Sequence, residues 1–164
     1  MKSDLPLVVL GLGSNLGDSR RIILEAVKVL ESVLTDLRAA SLYETEPLHV
    51  TDQNRFINTA VAGFYNNSPR ELLTEINRIE AQFGRDRKNE RRWGERLLDI
   101  DILLFGDLII NEADLQIPHP RLKERRFALE PLLELLPDAQ ESATGISYRS
   151  ICNKVSYQNA IKLI

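Results

Sequence analysis

Residues 6 to 14 read PLVVLGLGS, an apolar run of strand length that ends in a glycine-rich turn. From Ser19 to Leu34 the spacing changes. Ile22, Ile23, Ala26, Val27, Leu30, Val33 and Leu34 fall on one helical face, with Asp18 or Ser19 placed to cap it. Residues 38–46 and 55–65 return to strand patterning. In the second of these, Ile57, Thr59 and Val61 share one face and Phe56, Asn58 and Ala60 the other. SPRE at 68–71 predicts a second helix start: Ser68 caps, Pro69 takes the first helical position and Glu71 completes a capping box. Leu72, Leu73, Ile76, Ile79 and Phe83 follow on one face, and Gly84 ends the helix. RLLDIDILLF at 96–105 is a further strand, and FGDLII predicts a hairpin turn at Gly106-Asp107. A short helix is expected near Pro131, and the weakly patterned last 20 residues leave room for a final helix.

The order β-α-β-β-α-β is the ferredoxin-like arrangement. The expected class is α+β: an antiparallel sheet with two helices packed on one face and a C-terminal hairpin and helix extension. No repeat, low-complexity segment or long linker divides the chain, so residues 1–164 are read as one domain.

Within the strand at 96–105, Asp99 and Asp101 break the apolar pattern. Residues two apart in a strand share a face, roughly 6.6 Å apart along the chain. Two carboxylates there repel unless a cation lies between them or one is protonated. Hard oxygen ligands suit Mg²⁺, and a pair of such ions can share them. The wet face of an edge strand also accommodates D-x-D.

Charge changes the picture more than composition does. The net charge is −3, yet residues 85–96 hold six Lys or Arg and residues 121–126 hold four, of 21 in the chain. Positive patches on an otherwise acidic chain favour a bound anion over bulk nucleic acid. Guanidinium groups suit phosphate oxygens, and metal with arginine is the equipment of phosphoryl transfer. Trp93, between those arginines, suits either a stacked base or a core position. GLGSNLGD at 11–18 has neither the Walker A lysine nor the dinucleotide spacing, and is read as a tight turn into a capped helix. Asn58 shares a face with Phe56, so an amide and an aromatic ring can meet one planar ligand. His119, between two prolines, suits a structural role or a phosphate contact. The single cysteine, Cys152, excludes an internal disulfide. With no apolar run of membrane-span length and no signal-peptide pattern, the cytoplasm is the expected location.

GLGSNLGD, ETEPL, FINTAV, RWGERLLDIDILLFGD and IPHPRLKERRFALEPLLEL occur in this order. Together they resemble the 6-hydroxymethyl-7,8-dihydropterin pyrophosphokinases of folate synthesis. The resemblance implies a ferredoxin-like fold and ATP-dependent transfer of pyrophosphate to the hydroxymethyl group of the dihydropterin, with release of AMP. It implies two Mg²⁺ ions held by Asp99 and Asp101, and catalytic roles for Arg85, Arg96, Asp99 and Asp101. Asn77, Glu80, Arg87, Trp93, His119 and Arg125 correspond to ATP contacts. Thr45, Pro47, Leu48, Phe56, Asn58 and Phe127 correspond to the pterin pocket. ATP and hydroxymethyldihydropterin are the expected partners of a monomer, with neither nucleic acid nor membrane among them. The family's usual W-G-P-R is Trp93-Gly94-Glu95-Arg96 here. The alternatives, a polymerase-like palm and a ferredoxin-like RNA-binding module, lack room for a template channel and an aromatic RNP1-like strand respectively.

Overall fold

The central strand, β1 (Leu7–Ser14), pairs antiparallel with β4 (Phe56–Phe64) on one side and β5 (Asp99–Phe105) on the other. The other edge of β4 takes β2 (Thr35–Ala39) and β3 (Tyr43–Thr45), and β8 (Ala160–Lys162) extends the sheet past β3. Both β1 and β2 run antiparallel to β4, so they run parallel to each other. Helix α1 (Ser19–Leu30) crosses between them, and α2 (Pro69–Gln82) links β4 to β5. This is the split βαβ arrangement expected. The computed structural model describes residues 4–47, 52–86, 88, 96–155 and 159–163.

Local chemistry sets the helix starts. Asp18 accepts from the Arg21 N–H at 3.2 Å. The capping box of α2 is complete: Ser68 Oγ accepts from Glu71 N at 3.2 Å, and Glu71 Oε2 accepts from Ser68 N at 2.8 Å. Each such cap contributes about 1 kcal/mol. Helix α1 stops at Leu30 instead of Leu34, because Ser32 and Val33 donate three residues back and tighten the chain into a turn before β2.

The strand expected over 38–46 is two strands. At the break, the Thr59 hydroxyl donates to the carbonyls of Ala40 and Ser41, and Glu134 accepts from the Ser41 N–H at 2.9 Å. These side chains take the place of ladder bonds where the chain leaves the sheet edge. The hairpin also differs from expectation. Gly106, at φ +52°, turns the chain out of the sheet, and β6 (Ile110–Asn111) pairs with β7 (Gln116–Ile117), not with β5. Arg70 on α2 holds that hairpin through Asp114, at 2.9 Å, and Glu112.

Alternate residues of the strands serve two cores. Toward α1 and α2 point Val8, Leu10, Leu12, Val61, Ile100 and Ile102, packed on Ile23, Leu30, Leu72, Ile76 and Ile79. The opposite face carries Val9, Ala60, Ala62 and Leu103, covered by Leu129, Leu132 and Leu133 of α3 (Arg126–Leu135). Behind them lie Tyr148 and Cys152 of α4 (Tyr148–Lys154). A fully buried Leu or Ile contributes about 1.5–3 kcal/mol before conformational entropy is counted. Helix α4 falls within the last 20 residues, where a final helix was expected; β8 was not. Among the described residues, no helix is long and apolar enough to cross a membrane.

Candidate active site

The second core covers only half of its sheet face. Beyond it, β1 presents Gly11 and Gly13, which sit between two functional strands. Gly13 lies opposite Asn58 on β4 and opposite Asp99 on β5; Gly11 lies opposite Ala60 and Asp101. A cleft opens above them, lined also by Thr45, Glu46, Gln53, Phe56, Arg96, Leu103, Arg125 and Phe127. The glycines therefore form its floor. A Cβ at Gly13 would stand 2.9 Å from Asn58 Oδ1, and one at Gly11 would stand 3.3 Å from a Leu103 methyl. The turn read over 11–18 is thus corrected. Gly11 and Gly13 belong to the strand, and only Gly17, at φ +71°, needs the left-handed freedom of glycine. The signal was present in the sequence, because Gly11 and Gly13 alternate with Leu10 and Leu12 at the strand period.

On one side of the floor stand the carboxylates, each with a cation. Arg85 Nη1 donates to Asp99 Oδ1 at 2.7 Å and also engages Glu80. Arg125 Nη1 reaches Asp101 Oδ2 at 3.5 Å, and His119 Nε2 lies 3.7 Å from Asp101 Oδ1. The repulsion that the D-x-D spacing implied is relieved by guanidinium groups within the protein itself. Glu80, expected as a nucleotide contact, is 1% exposed and outside the cleft lining, where it accepts from Arg85 and from the Ile100 N–H at 3.4 Å. It fixes Arg85, which in turn holds Asp99. A buried carboxylate needs that pairing, because removing one partner of a buried ion pair costs about 3–5 kcal/mol.

His119 is a neutral donor. Burial first, and the charge of Arg125 second, pull its pKa down to about 4. Its Nδ1 accepts from the Arg121 N–H at 3.1 Å, so the proton sits on Nε2, the nitrogen nearest Asp101.

The other side of the floor suits a planar heterocycle. Asn58, 4% exposed, donates from Nδ2 to Thr45 Oγ1 at 2.7 Å. That bond orients the amide, and among the described residues no hydrogen-bond partner takes its Oδ1. Phe56 and Phe127 both line the cleft, and the Arg125 guanidinium lies 5.5 Å from the Phe127 ring centre. The structure therefore gathers Thr45, Phe56, Asn58, Arg96, Asp99, Asp101, Arg125 and Phe127 around one cleft, with Arg85 and His119 touching the aspartates. Pro47 is half-buried and Asn77 exposed on α2, both outside the lining. Leu48, Arg87 and Trp93 lie outside the described residues. Sequence reasoning passed over Gly11, Gly13 and Gln53.

The fit to a metal follows from the donor set. Among the described residues no cluster of three or more His, Cys, Asp or Glu stands ready to hold an ion. Asp99 and Asp101 are two carboxylates on one strand face, with side chains 35% and 33% exposed. Two carboxylates with room for water and phosphate oxygens match Mg²⁺, not zinc.

The model of the 7,8-dihydro-6-hydroxymethylpterin-pyrophosphokinase (HPPK) family matches residues 9–137. The chain belongs to the HPPK family. That match runs from β1 to just past α3 and includes every residue named on the cleft. The 2-amino-4-hydroxy-6-hydroxymethyldihydropteridine pyrophosphokinase of Bacillus subtilis is 40% identical over 141 residues, 85% of this chain and 83% of the relative. The mitochondrial folate synthesis bifunctional protein of Arabidopsis thaliana is 43% identical over 145 residues, 88% of this chain. The HPPK-family chain spans only 26% of that plant relative. The crystal structure of an HPPK-DHPS in complex with substrates superposes with a TM-score of 0.73 at 16% identity, over 92% of this chain and 43% of that one. This likeness speaks for the fold.

Proposed function

We propose that this HPPK-family chain transfers pyrophosphate from ATP to the hydroxymethyl group of 6-hydroxymethyl-7,8-dihydropterin, releasing AMP, a step of folate synthesis. The observation that carries the reading is the two-sided cleft. A buried amide beside aromatic rings meets, across a floor of two glycines, a carboxylate pair set among arginines. One half suits a planar heterocycle and the other a polyphosphate.

Asn58, oriented by Thr45, reads the edge of the pterin ring, and Phe56 and Phe127 pack against its faces. Asp99 and Asp101 would hold two Mg²⁺ ions, which when bound with ATP neutralise phosphate charge and polarise the transferring group. Arg96 and Arg125 hold phosphate oxygens from the cleft wall, and neutral His119 donates Nε2–H to an oxygen beside Asp101. Arg85, fixed by Glu80, keeps Asp99 in place. The hydroxyl oxygen bonds to the β-phosphorus and gives up its proton to water, while the bond from that phosphorus to the α-phosphate oxygen breaks and AMP leaves. With little covalent work for the protein, its contribution is positioning and charge neutralisation.

The same reading makes the 164 residues one cytoplasmic, monomeric domain with no nucleic acid or membrane partner. The acidic net charge supports the reading without a nucleic acid partner, and the lone Cys152, buried and in no disulfide, supports a reducing compartment. The test is chromatography of products from ATP, Mg²⁺ and the dihydropterin. AMP and pyrophosphorylated pterin in equal amounts are expected; ADP, or no product from folded protein, overturns the reading.

A further inference from the structure

Phe127 reaches the cleft from the first turn of α3, a turn with little local support. The N-cap, Arg125, makes no side-chain cap bond, and no acid stands in the first turn. Two arginines, Arg125 and Arg126, occupy the end where the helix dipole favours anions. Pro131, inside the helix, has no N–H to give to the Phe127 carbonyl four residues back. A pocket side chain on such a turn needs a hold from elsewhere.

Arg126 supplies it. Its side chain is half-buried and outside the cleft lining. Nε donates to Glu130 Oε1 at 3.0 Å, one turn further along α3, and Nη1 donates to the Val155 carbonyl at 3.0 Å. Val155 is the C-cap of α4, so the guanidinium sits where a helix end favours a cation and leaves carbonyls to be satisfied. The Cys152 thiol of α4 lies 3.7 Å from the same Glu130 oxygen. The first turn of α3 is thus clipped to the end of α4, a helix beyond residue 137, where the family match stops. Only the planar fork of arginine spans both acceptors; a lysine ammonium would keep the charge without the fork. Arg125 has holds of its own, Asp101 at 3.5 Å and a backbone bond to Leu122 at 3.2 Å, so slackening of the clip falls on Phe127.

We propose that Arg126 is a positioning residue that sets the Phe127 ring against the pterin, with the end of α4 as its anchor. This rests on the function proposed above.

The experiment is isothermal titration of the folded chain with 6-hydroxymethyl-7,8-dihydropterin at saturating Mg²⁺ and α,β-methylene-ATP, run as a double-mutant cycle with Phe127→Leu. That analogue blocks the bond that breaks. Arg126→Ala is expected to raise the pterin Kd about tenfold, the scale of one charged hydrogen bond. In the Phe127→Leu background the same change should move it less than about twofold, because the two residues act through one contact. Arg126→Lys falls between, and the Kd of the ATP analogue stays within about twofold throughout. A purely structural role would lower Tm with the pterin Kd unchanged, or weaken pterin by the same factor in both backgrounds; either result overturns the proposal, as does equal weakening of both ligands. If Arg126→Ala does not fold, Arg126→Lys in the same cycle decides: a loss confined to the parent background supports positioning, and no loss or an equal loss in both refutes it. Failure of the function itself is seen separately, as absence of AMP from the wild-type chain with ATP and the dihydropterin.

Discussion

Toward α1 and α2, β1 presents Val8, Leu10 and Leu12, and β5 presents Ile100 and Ile102, none more than 6% exposed. One residue out of step, the same strands present Gly11 and Gly13, Asp99 and Asp101. The backbone ladder is shared, and only the alternation separates a packed core from a reactive floor. The second face is itself divided. Where α3 lies on it, Val9, Ala60, Ala62 and Leu103 are apolar and buried; where α3 stops, the residues become small, polar or charged. The cleft is thus the part of the second sheet face that the α3 side chains of the second core leave uncovered. A strand can give its two faces different tasks where its side chains alternate, as β5 does from Asp99 to Leu103, before its register with β1 shifts.

The sharpest way to break this comparison is to damage one face and read the other. Leu10→Ala on the packed face should lower stability by about 2–5 kcal/mol in urea titration, while turnover per folded molecule stays within about twofold. A collapse of turnover in the folded fraction would show that the faces are not independent. Asp101→Ala should reverse the pattern. Turnover is expected to fall about 10²–10³-fold, equivalent to about 2.7–4 kcal/mol, with stability within about 1 kcal/mol of the parent. Gly13→Ala should act more narrowly. The added methyl meets Asn58 Oδ1, so pterin Kd should rise about tenfold, or about 1.4 kcal/mol, while the ATP-analogue Kd moves less than twofold. Equal weakening of both ligands would place the glycine's role outside the amide. The smallest effect concerns the covered half. Burial pushes the Cys152 thiol up to about 11, so at pH 8 it stays protonated and iodoacetamide should leave the native chain unmodified and fully active. Rapid labelling would mean that the α3–α4 layer opens readily.

The element order, the capping box of α2 and the pairing of Asp99 with Asp101 on one face were legible because each rests on local spacing. What stayed hidden depended on partners far along the chain. The break between β2 and β3 is stabilised by Thr59 and by Glu134 from α3, which no local pattern reveals. Strand β8 has three residues, too few to show a period. Gly11 and Gly13 become a floor only when the registers of β1 with β4 and β5 are known together. The buried pairing of Glu80 was legible too. Leu72, Ile76 and Glu80 step by four along α2, so an acid stood in the apolar stripe and required a buried cation. Of the basic stretch 85–96, Arg96 at its end lines the cleft, and Arg85 at its start holds Asp99.

The central claim, that the uncovered half of the second sheet face receives both substrates, is tested most directly by a crystal structure with α,β-methylene-ATP, the dihydropterin and Mn²⁺ in place of Mg²⁺. The account predicts anomalous peaks at coordination distance from Asp99 and Asp101, and a pterin ring above Gly13 between Phe56 and Phe127. Substrates bound away from Gly11 and Gly13, or metal held without either aspartate, would contradict it.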